Sequence, residues 1–378
     1  MKTRDFFFEL PESLIAQEPL ERGKDRLMLL ERSSGKREHR LVADLPYLLG
    51  PEKKLLGERP LLVFNNSRVR KARLYGISGE TGARVEFLLL RKQDGEGRIW
   101  LCMAQRAKRR RPGSRYVFGS GSDSVEAVII GLEGEFRVLQ FARALDESWL
   151  DVHGHIPLPP YIKREDNASD SERYQTVYAG ETGSAAAPTA GLHFTGELLS
   201  ELEKAGAESA FITLHVGLGT FLPVRSDTVE EHRMHEEFYS IDRIAAEKIN
   251  RAAAEGRRIC AIGTTSVRTL ESAWNTETES LSAGEGSTSI FIYPGYRFTL
   301  VDALFTNFHT PESTLLMLVS AFAAAFAAAF AGTSRRAADK GRSFPSGEEG
   351  RNLILESYAE AVEKGYRFYS YGDAMLIH

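Results

Sequence analysis

A change of periodicity partway along the chain constrains the fold more than any other feature. Between about residues 73 and 155 the apolar runs are short and strand-like, as in residues 84–90, 99–103 and 125–130. Gly79, Gly82, Gly95, Gly97, Gly119 and Gly121 punctuate them. Regular short strands with such turns fold as a small antiparallel barrel or a sandwich. The flanking segments alternate strand and helix signals. Residues 61–64 are a continuous apolar run, 197–204 reads as a helix with Thr195 as N-cap and Gly206 as stop, and 210–215 reads as a strand. Residues 243–255 read as a helix ended by Gly256, 258–262 as a strand, and Thr310 with Pro311 as the start of a further helix. A β-only block enclosed by α/β alternation is an insertion. The predicted architecture is a discontinuous large mixed α/β domain (1–72 and 156–378) interrupted by a small β domain (73–155). Residues 332–350, polar and rich in Gly and Ser, read as a flexible surface loop.

With 378 residues, one core is hard to fill and two domains are the natural division. The formal net charge of −4 gives no global attraction to nucleic acid, so any RNA contact must come from a local basic patch. Cys102 and Cys260 are the sole cysteines, too few for a disulfide framework or a thiolate cluster. The N-terminus carries acidic residues and no apolar core of the signal-peptide kind, which points to the cytosol. Residues 315–331 carry no charge over 17 positions, near the lower limit for a membrane span of roughly 17–25 residues. They are Ala-rich, and Leu315, Val319, Phe322, Phe326 and Phe330 fall on one helical face, so the prediction is a partly buried helix and no membrane association.

Candidate reactive groups gather in the second half. His193, His215, His235 and His309 sit beside glycine, small polar residues or turn signals, where proton transfer near neutral pH and close substrate approach are both served. Each could equally be a hydrogen-bonded framework histidine. The pairs His232/His235 and His153/His155 do not match the helical zinc spacing, and no metal is expected. The turn Ile262-Gly-Thr-Thr-Ser-Val-Arg268 offers helix-start N–H groups, hydroxyls and Arg268 to an anion. Ordinary capping by Thr265 or Ser266 would explain the same residues. Asn307 and His309 precede a second such terminus. Lys108, Arg109, Arg110 and Arg111 form a basic turn, with Tyr116 and Phe118 nearby, that could track an RNA backbone.

As strings, these features resemble one family nearly end to end. They include Asp5-Phe-Phe-Phe-Glu-Leu-Pro11, Ile15-Ala-Gln-Glu-Pro19, Phe64-Asn-Asn-Ser-Arg-Val69, and His153-Gly-His-Ile-Pro-Leu-Pro-Pro-Tyr-Ile162. Tyr174-Gln-Thr-Val-Tyr178, Ala187-Pro-Thr-Ala-Gly-Leu-His-Phe-Thr195, Thr213-Leu-His-Val-Gly-Leu-Gly-Thr-Phe221 and Met234-His-Glu-Glu237 follow. The chain closes with Gly263-Thr-Thr-Ser-Val-Arg268, Thr306-Asn-Phe-His309 and Tyr366-Arg-Phe-Tyr-Ser-Tyr-Gly-Asp-Ala-Met375. The pattern is similar to the S-adenosylmethionine:tRNA ribosyltransferase-isomerase (QueA) family of queuosine biosynthesis. Two departures stand out: Asn66 occupies a position that is often Asp in the family, and the Phe-Ala repeat with its loop lengthens a connection that is usually short.

The resemblance implies an α/β domain with an inserted antiparallel β-barrel and a site where the two meet. It implies transfer and isomerisation of the ribosyl part of S-adenosylmethionine onto a 7-aminomethyl-7-deazaguanine in the tRNA anticodon loop, giving epoxyqueuosine and releasing adenine and methionine. No metal or redox cofactor is implied, S-adenosylmethionine being a co-substrate, and a monomer is expected. On the matching positions the catalytic candidates are His193, His215, His235, Glu237 and His309. Substrate contacts are expected from Asn65, Arg68, Arg73, Thr189, Gly191, Thr264, Thr265, Arg268, Asn307, Tyr371 and Asp373, and RNA contacts from the basic turn. The rivals are an S-adenosylmethionine-dependent methyltransferase, whose glycine-rich loop is missing because Gly217-Leu-Gly219 is incomplete, and a non-catalytic RNA-binding module.

Overall fold

The structure is a computed structural model that describes residues 1–217, 224–324 and 347–378. The flexible-loop expectation for 332–350 falls mostly outside these residues, as do Leu218, Gly219, Phe326 and Phe330.

The continuous apolar run at residue 61 becomes β3 (Leu61–Asn65), buried at every position. Such a strand needs cover on both faces, which parallel pairing with crossover helices supplies. It pairs in parallel with β12 (Glu208–Leu214) and β14 (Ile259–Ile262), and β14 pairs in parallel with β16 (Ala303–Asn307). Antiparallel β13 (Glu237–Ile241) and β15 (Gly284–Thr288) extend one edge. On the other, β17 (Ala374–Ile377) runs antiparallel to β16, followed by β1 (Arg26–Leu30) and β2 (Arg37–Leu41). The result is a nine-stranded mixed sheet.

Alternate β3 residues feed separate cores. Leu61 and Val63 pack with α5 (Arg243–Ala254), α6 (Thr264–Ala273), α7 (Thr314–Ala324) and α8 (Gly347–Glu363), whereas Leu62 and Phe64 pack with α1 (Leu45–Leu49) and α4 (Gly196–Lys204). Thr195 caps α4, its hydroxyl accepting from Leu198 N at 3.0 Å, as the sequence predicts. α7 differs from expectation in two ways. It starts at Thr314, capped by the Ser313 hydroxyl, because residues 310–313 form a turn with Glu312 at φ +56°. From Leu316 to Ala324 it is buried on all sides, not along one stripe. Among the described residues no helix is long and apolar enough to cross a membrane.

The β-only block closes as a six-stranded antiparallel barrel, settling the choice between barrel and sandwich. Its strands are β5 (Arg73–Ser78), β6 (Arg84–Lys92), β7 (Ile99–Ala104), β8 (Arg115–Phe118), β9 (Val125–Glu133) and β10 (Phe136–Phe141), around Phe87, Trp100, Tyr116, Phe118 and Phe141. The fold class is therefore mixed α/β with an antiparallel barrel. The barrel leaves the sheet just past the carboxyl end of β3 through β4 (Ser67–Val69), which pairs with β11 (Glu181–Ser184). The chain returns by way of α2 (Glu147–His153) and a bridge between Arg73 and His155, then passes through the short α3 (Asp170–Arg173). Directly after β3, the barrel is committed to the end of the sheet where the parallel strands finish.

Candidate active site

In an open parallel sheet, strand ends at the carboxyl edge carry ligands because the loops there are free of the ladder. Here that edge gathers His215 past β12, Asn65 and Asn66 at β3, Gly263 through Thr265 past β14, and Asn307 with His309 at β16. Because β17 and β13 run antiparallel to their neighbours, and β1 runs parallel to β17, Asp373, Glu237 and Asp25 begin their strands at the same edge. The single-turn helix Thr189–His193 crosses it, anchored by Phe194 edge-on to Phe64 at 5.1 Å and Phe305 at 5.2 Å.

His193 is buried. Its Nδ1 lies 2.8 Å from Asp25 Oδ2 and its Nε2 lies 3.1 Å from Asn307 Nδ2. The Asn307 amide also donates to the Tyr369 carbonyl at 3.1 Å, which fixes which end is nitrogen. It follows that Nε2 accepts and that the proton sits on Nδ1, facing the Asp25 carboxylate. Tyr369 holds this arrangement from a left-handed backbone at φ +72°, a conformation that costs a tyrosine about 1–3 kcal/mol. Asn307 Oδ1 is buried without a partner among the described residues. A narrow cleft opens beside this group, lined by Leu20, Asp25, Arg173, His193 and Tyr371.

His215 contrasts with His193. It is half-buried, and its Nδ1 has no hydrogen-bond partner among the described residues. Its ring lies against Gly183, where an added Cβ would come within 2.8 Å. Burial and the Arg70 guanidinium hold its imidazole below the usual range, against the pull of Glu181. It is an imidazole whose charged form is disfavoured and whose Nδ1 is buried without a partner among the described residues. His309 is buried, bonded through Nε2 to the Thr306 hydroxyl at 2.9 Å, and pushed down to about 3 by burial, so it holds the framework. His235 stands edge-on to Phe136 of the barrel, 6.4 Å between ring centres.

Several residues expected to meet substrate are occupied by the protein itself. Asn65 spans strand ends, donating to the Leu214 carbonyl and the Thr265 hydroxyl while its oxygen accepts from Ser67 N and Leu214 N. Arg268 pairs with Glu237 in a buried ion pair that leaves its Nη2 without a partner among the described residues, and Glu237 also accepts from Gly217 N. Asp373 accepts with its two oxygens from the N–H groups of Arg26 and Arg367, and burial pushes its carboxyl up. Tyr371 donates to Asp170, which also takes both terminal nitrogens of Arg164. Arg73 donates to the Leu158 carbonyl and pairs with Glu86.

Other positions stay available or act by shape. Arg68 is exposed on β4, Thr189 is half-exposed, and Thr264 is buried in the first turn of α6. Among the described residues no side chain caps α6: Gly263 holds the N-cap, Ser266 donates back to the Ile262 carbonyl, and the predicted Thr265 or Ser266 cap is not made. At Gly191 an added Cβ would lie 2.1 Å from the Tyr178 hydroxyl, so the glycine admits tyrosine, not ligand. Gly191→Ala is expected to lose about 1–3 kcal/mol of stability in chemical denaturation, the usual range for overpacking.

The basic turn sits on the barrel with Lys108, Arg109 and Arg111 exposed and Arg110 half-buried. Buried Arg137 secures it, donating to the carbonyls of Ala107, Arg110, Glu135 and Phe136. The same hairpin touches the α/β body through Glu135 to Arg225 at 2.9 Å and Phe136 to His235. Sequence reasoning missed both Arg137 and Asp25. Asp25 lies in a charged Lys-Asp-Arg run that reads as surface, and only the β1/β17 pairing turns it inward.

A mixed sheet interrupted by a barrel just past β3, with two histidines in unlike settings at its carboxyl edge, places the protein in the inserted-barrel α/β class. The family model described as queuosine biosynthesis protein matches residues 3–332 and 346–377. The chain belongs to that family. An S-adenosylmethionine:tRNA ribosyltransferase-isomerase from Treponema denticola is 49% identical over 100% of both chains, and one from Clostridioides difficile is 45% identical over 100% of both. The solved S-adenosylmethionine tRNA ribosyltransferase from Thermotoga maritima is 34% identical, covering 99% of this chain and 100% of its own, with a TM-score of 0.49.

Proposed function

We propose that this protein moves the ribosyl group of S-adenosylmethionine onto the aminomethyl nitrogen of a 7-aminomethyl-7-deazaguanine in the tRNA anticodon loop and isomerises it to the epoxycyclopentane of epoxyqueuosine. Adenine and methionine leave, and no metal or redox cofactor takes part. Full-length similarity to relatives of that name supports the reading. The observation that carries it to these residues is the pair of unlike imidazoles on one sheet edge.

The positive sulfur acidifies the neighbouring ribose carbon, so an unprotonated base with an open nitrogen can start the ring opening. His215 suits that role, since burial and Arg70 disfavour its charged form and its Nδ1 has no partner among the described residues. Adenine must take a proton to leave, and the attacking amine must be kept neutral. His193 holds a proton on Nδ1 against Asp25 and can accept another at Nε2 if Asn307 yields, the Asp25 carboxylate then stabilising the imidazolium. The end of β12 and the end of β16 lie three strand spacings apart, roughly 14 Å, so the two histidines serve separate proton transfers. Lys108, Arg109 and Arg111, held by Arg137 on the barrel, meet the RNA backbone.

The test is mass spectrometry of the tRNA nucleoside after incubation with S-adenosylmethionine and a metal chelator. A gain matching the epoxycyclopentane unit, with free adenine in equal amount, is expected. A methyl-sized gain assigns a methyltransferase instead, and unchanged tRNA that remains bound assigns a binding module.

A further inference from the structure

Two arginines beside the His193 cleft take no part in the chemistry above. Arg22, in the turn preceding β1, donates to the carbonyls of Glu172 at 3.1 Å and Gln175 at 2.6 Å. Arg173, at the end of α3, reaches back to the Leu20 carbonyl. Each side chain grips the backbone of the segment that carries the other, so the turn and α3 are clasped from both sides. Neutral carbonyls hold both guanidinium groups, and among the described residues neither makes an ion pair. The nearby carboxylates do not change that: Glu21 is paired with Lys24 at 2.5 Å and acts on Arg173 only through space, as Glu172 does on Arg22.

The clasp holds two like charges together against their repulsion. Burial and the Arg173 charge together hold the Arg22 guanidinium below its ordinary range. Arg173 Nε is buried with no hydrogen-bond partner among the described residues, and Arg173 lines the same cleft as Asp25 and His193. Two neighbouring guanidinium forks, one lining the cleft and the other clasped just behind it, suit a tetrahedral oxyanion.

We propose that Arg22 and Arg173 form a phosphate-binding mouth that takes a phosphodiester of the RNA substrate next to the nucleoside being modified. The inference rests on the RNA-modifying function proposed above and adds a contact on the α/β body, apart from the barrel's basic turn. A polymer must pass its reacting base toward His193 while leaving its charged backbone outside the cleft, which Arg173 lines with Arg22 clasped beside it.

The decisive variant is Arg22→Gln with Arg173→Gln, whose amides keep a donor for the clasped carbonyls while removing both charges. Binding of tRNA carrying 7-aminomethyl-7-deazaguanine is followed by fluorescence anisotropy across a salt series, and S-adenosylmethionine binding by calorimetry. Thermal melting confirms that the fold is kept. The expected result is a tRNA Kd raised about tenfold at low salt and a log–log salt slope shallower by roughly 0.7 for each phosphate no longer neutralised. Arg22→Lys with Arg173→Lys should recover most of the slope, since a clasp needed only for folding would not follow charge. Unchanged tRNA affinity and slope in a folded variant overturn the proposal. So does weakened S-adenosylmethionine binding with tRNA binding intact, which would assign the pair to the methionine carboxylate. Wild-type protein that leaves this tRNA unmodified brings down the functional reading and this site together, whereas modification by the wild type with indifferent variants removes this site alone.

Discussion

Replacing His215 with glutamine is expected to lower kcat by roughly 10²–10⁴, the range for loss of a positioned general base. The KM for tRNA should change little. His215 is the edge histidine whose Nδ1 lacks a partner among the described residues, and Gly183 packs so close that the ring has little freedom. The pH dependence supplies a second, independent signature. Burial first, and Arg70 second, disfavour the imidazolium, so the folded value lies below the ordinary value of about 6.5. A base is active unprotonated, so kcat/KM should stay flat from neutral pH down past 6.5 and fall only as pH passes through the lowered value. Arg70→Gln removes one of the two depressing causes, so that acid limb should move to higher pH while maximal kcat stays within a few-fold. The His215→Gln variant should lose the limb altogether. Protonation of His215 also favours the unfolded chain as pH falls below its unfolded value, so near-ultraviolet circular dichroism must show folded protein across the profile. An unaltered kcat in folded His215→Gln protein would remove His215 from the chemistry.

The sequence carried the architecture further than it carried the site. A strand buried on both faces, β3, and a barrel of alternating strands leave strong local signatures, as do a threonine cap and a glycine stop on α4. Ser313 capping a late-starting α7 was not legible, because the left-handed turn at Glu312 has no glycine to announce it. For the site, sequence could find residue types but not their partners. Asn65, Arg268, Glu237 and Asp373 are chemically able groups in distinctive strings, yet folding commits their hydrogen bonds to strand ends and to each other. Asp25 shows the opposite failure. Nothing in Lys24-Asp25-Arg26 distinguishes it from a solvated run until β1 is set beside β17. A side chain's chemistry is written in the sequence, whereas whether it is free to react depends on contacts across 168 positions, as between Asp25 and His193.

Glu237 and Arg268 give the largest expected effect on stability, and they separate framework from catalysis. Both are nearly buried, at 4% and 7% side-chain exposure, and they face each other across the edge of the sheet. Glu237 also accepts from Gly217 N at 2.9 Å, and Arg268 Nε reaches the Ile290 carbonyl at 3.3 Å. Neutralising one partner leaves the other charge buried with its desolvation uncompensated, which costs about 3–5 kcal/mol. Glu237→Gln and Arg268→Met should each lower denaturation stability by that amount, measured with urea at neutral pH. The double variant should recover most of the loss, because replacing a whole buried pair by apolar and amide groups leaves no orphaned charge. Its coupling energy, taken from the four-way cycle, should be about 4 kcal/mol or more in favour of the pair, above the roughly 0.5–3 kcal/mol usual for contacting residues, because each single variant includes the cost of stranding its partner's charge. If Glu237 were instead the general base, Glu237→Gln would remain stable and lose kcat, and the double variant would be no more active than the single. Recovery of both stability and turnover in the double variant would place the pair in the framework that holds Gly217 and the strand end, two residues from His215.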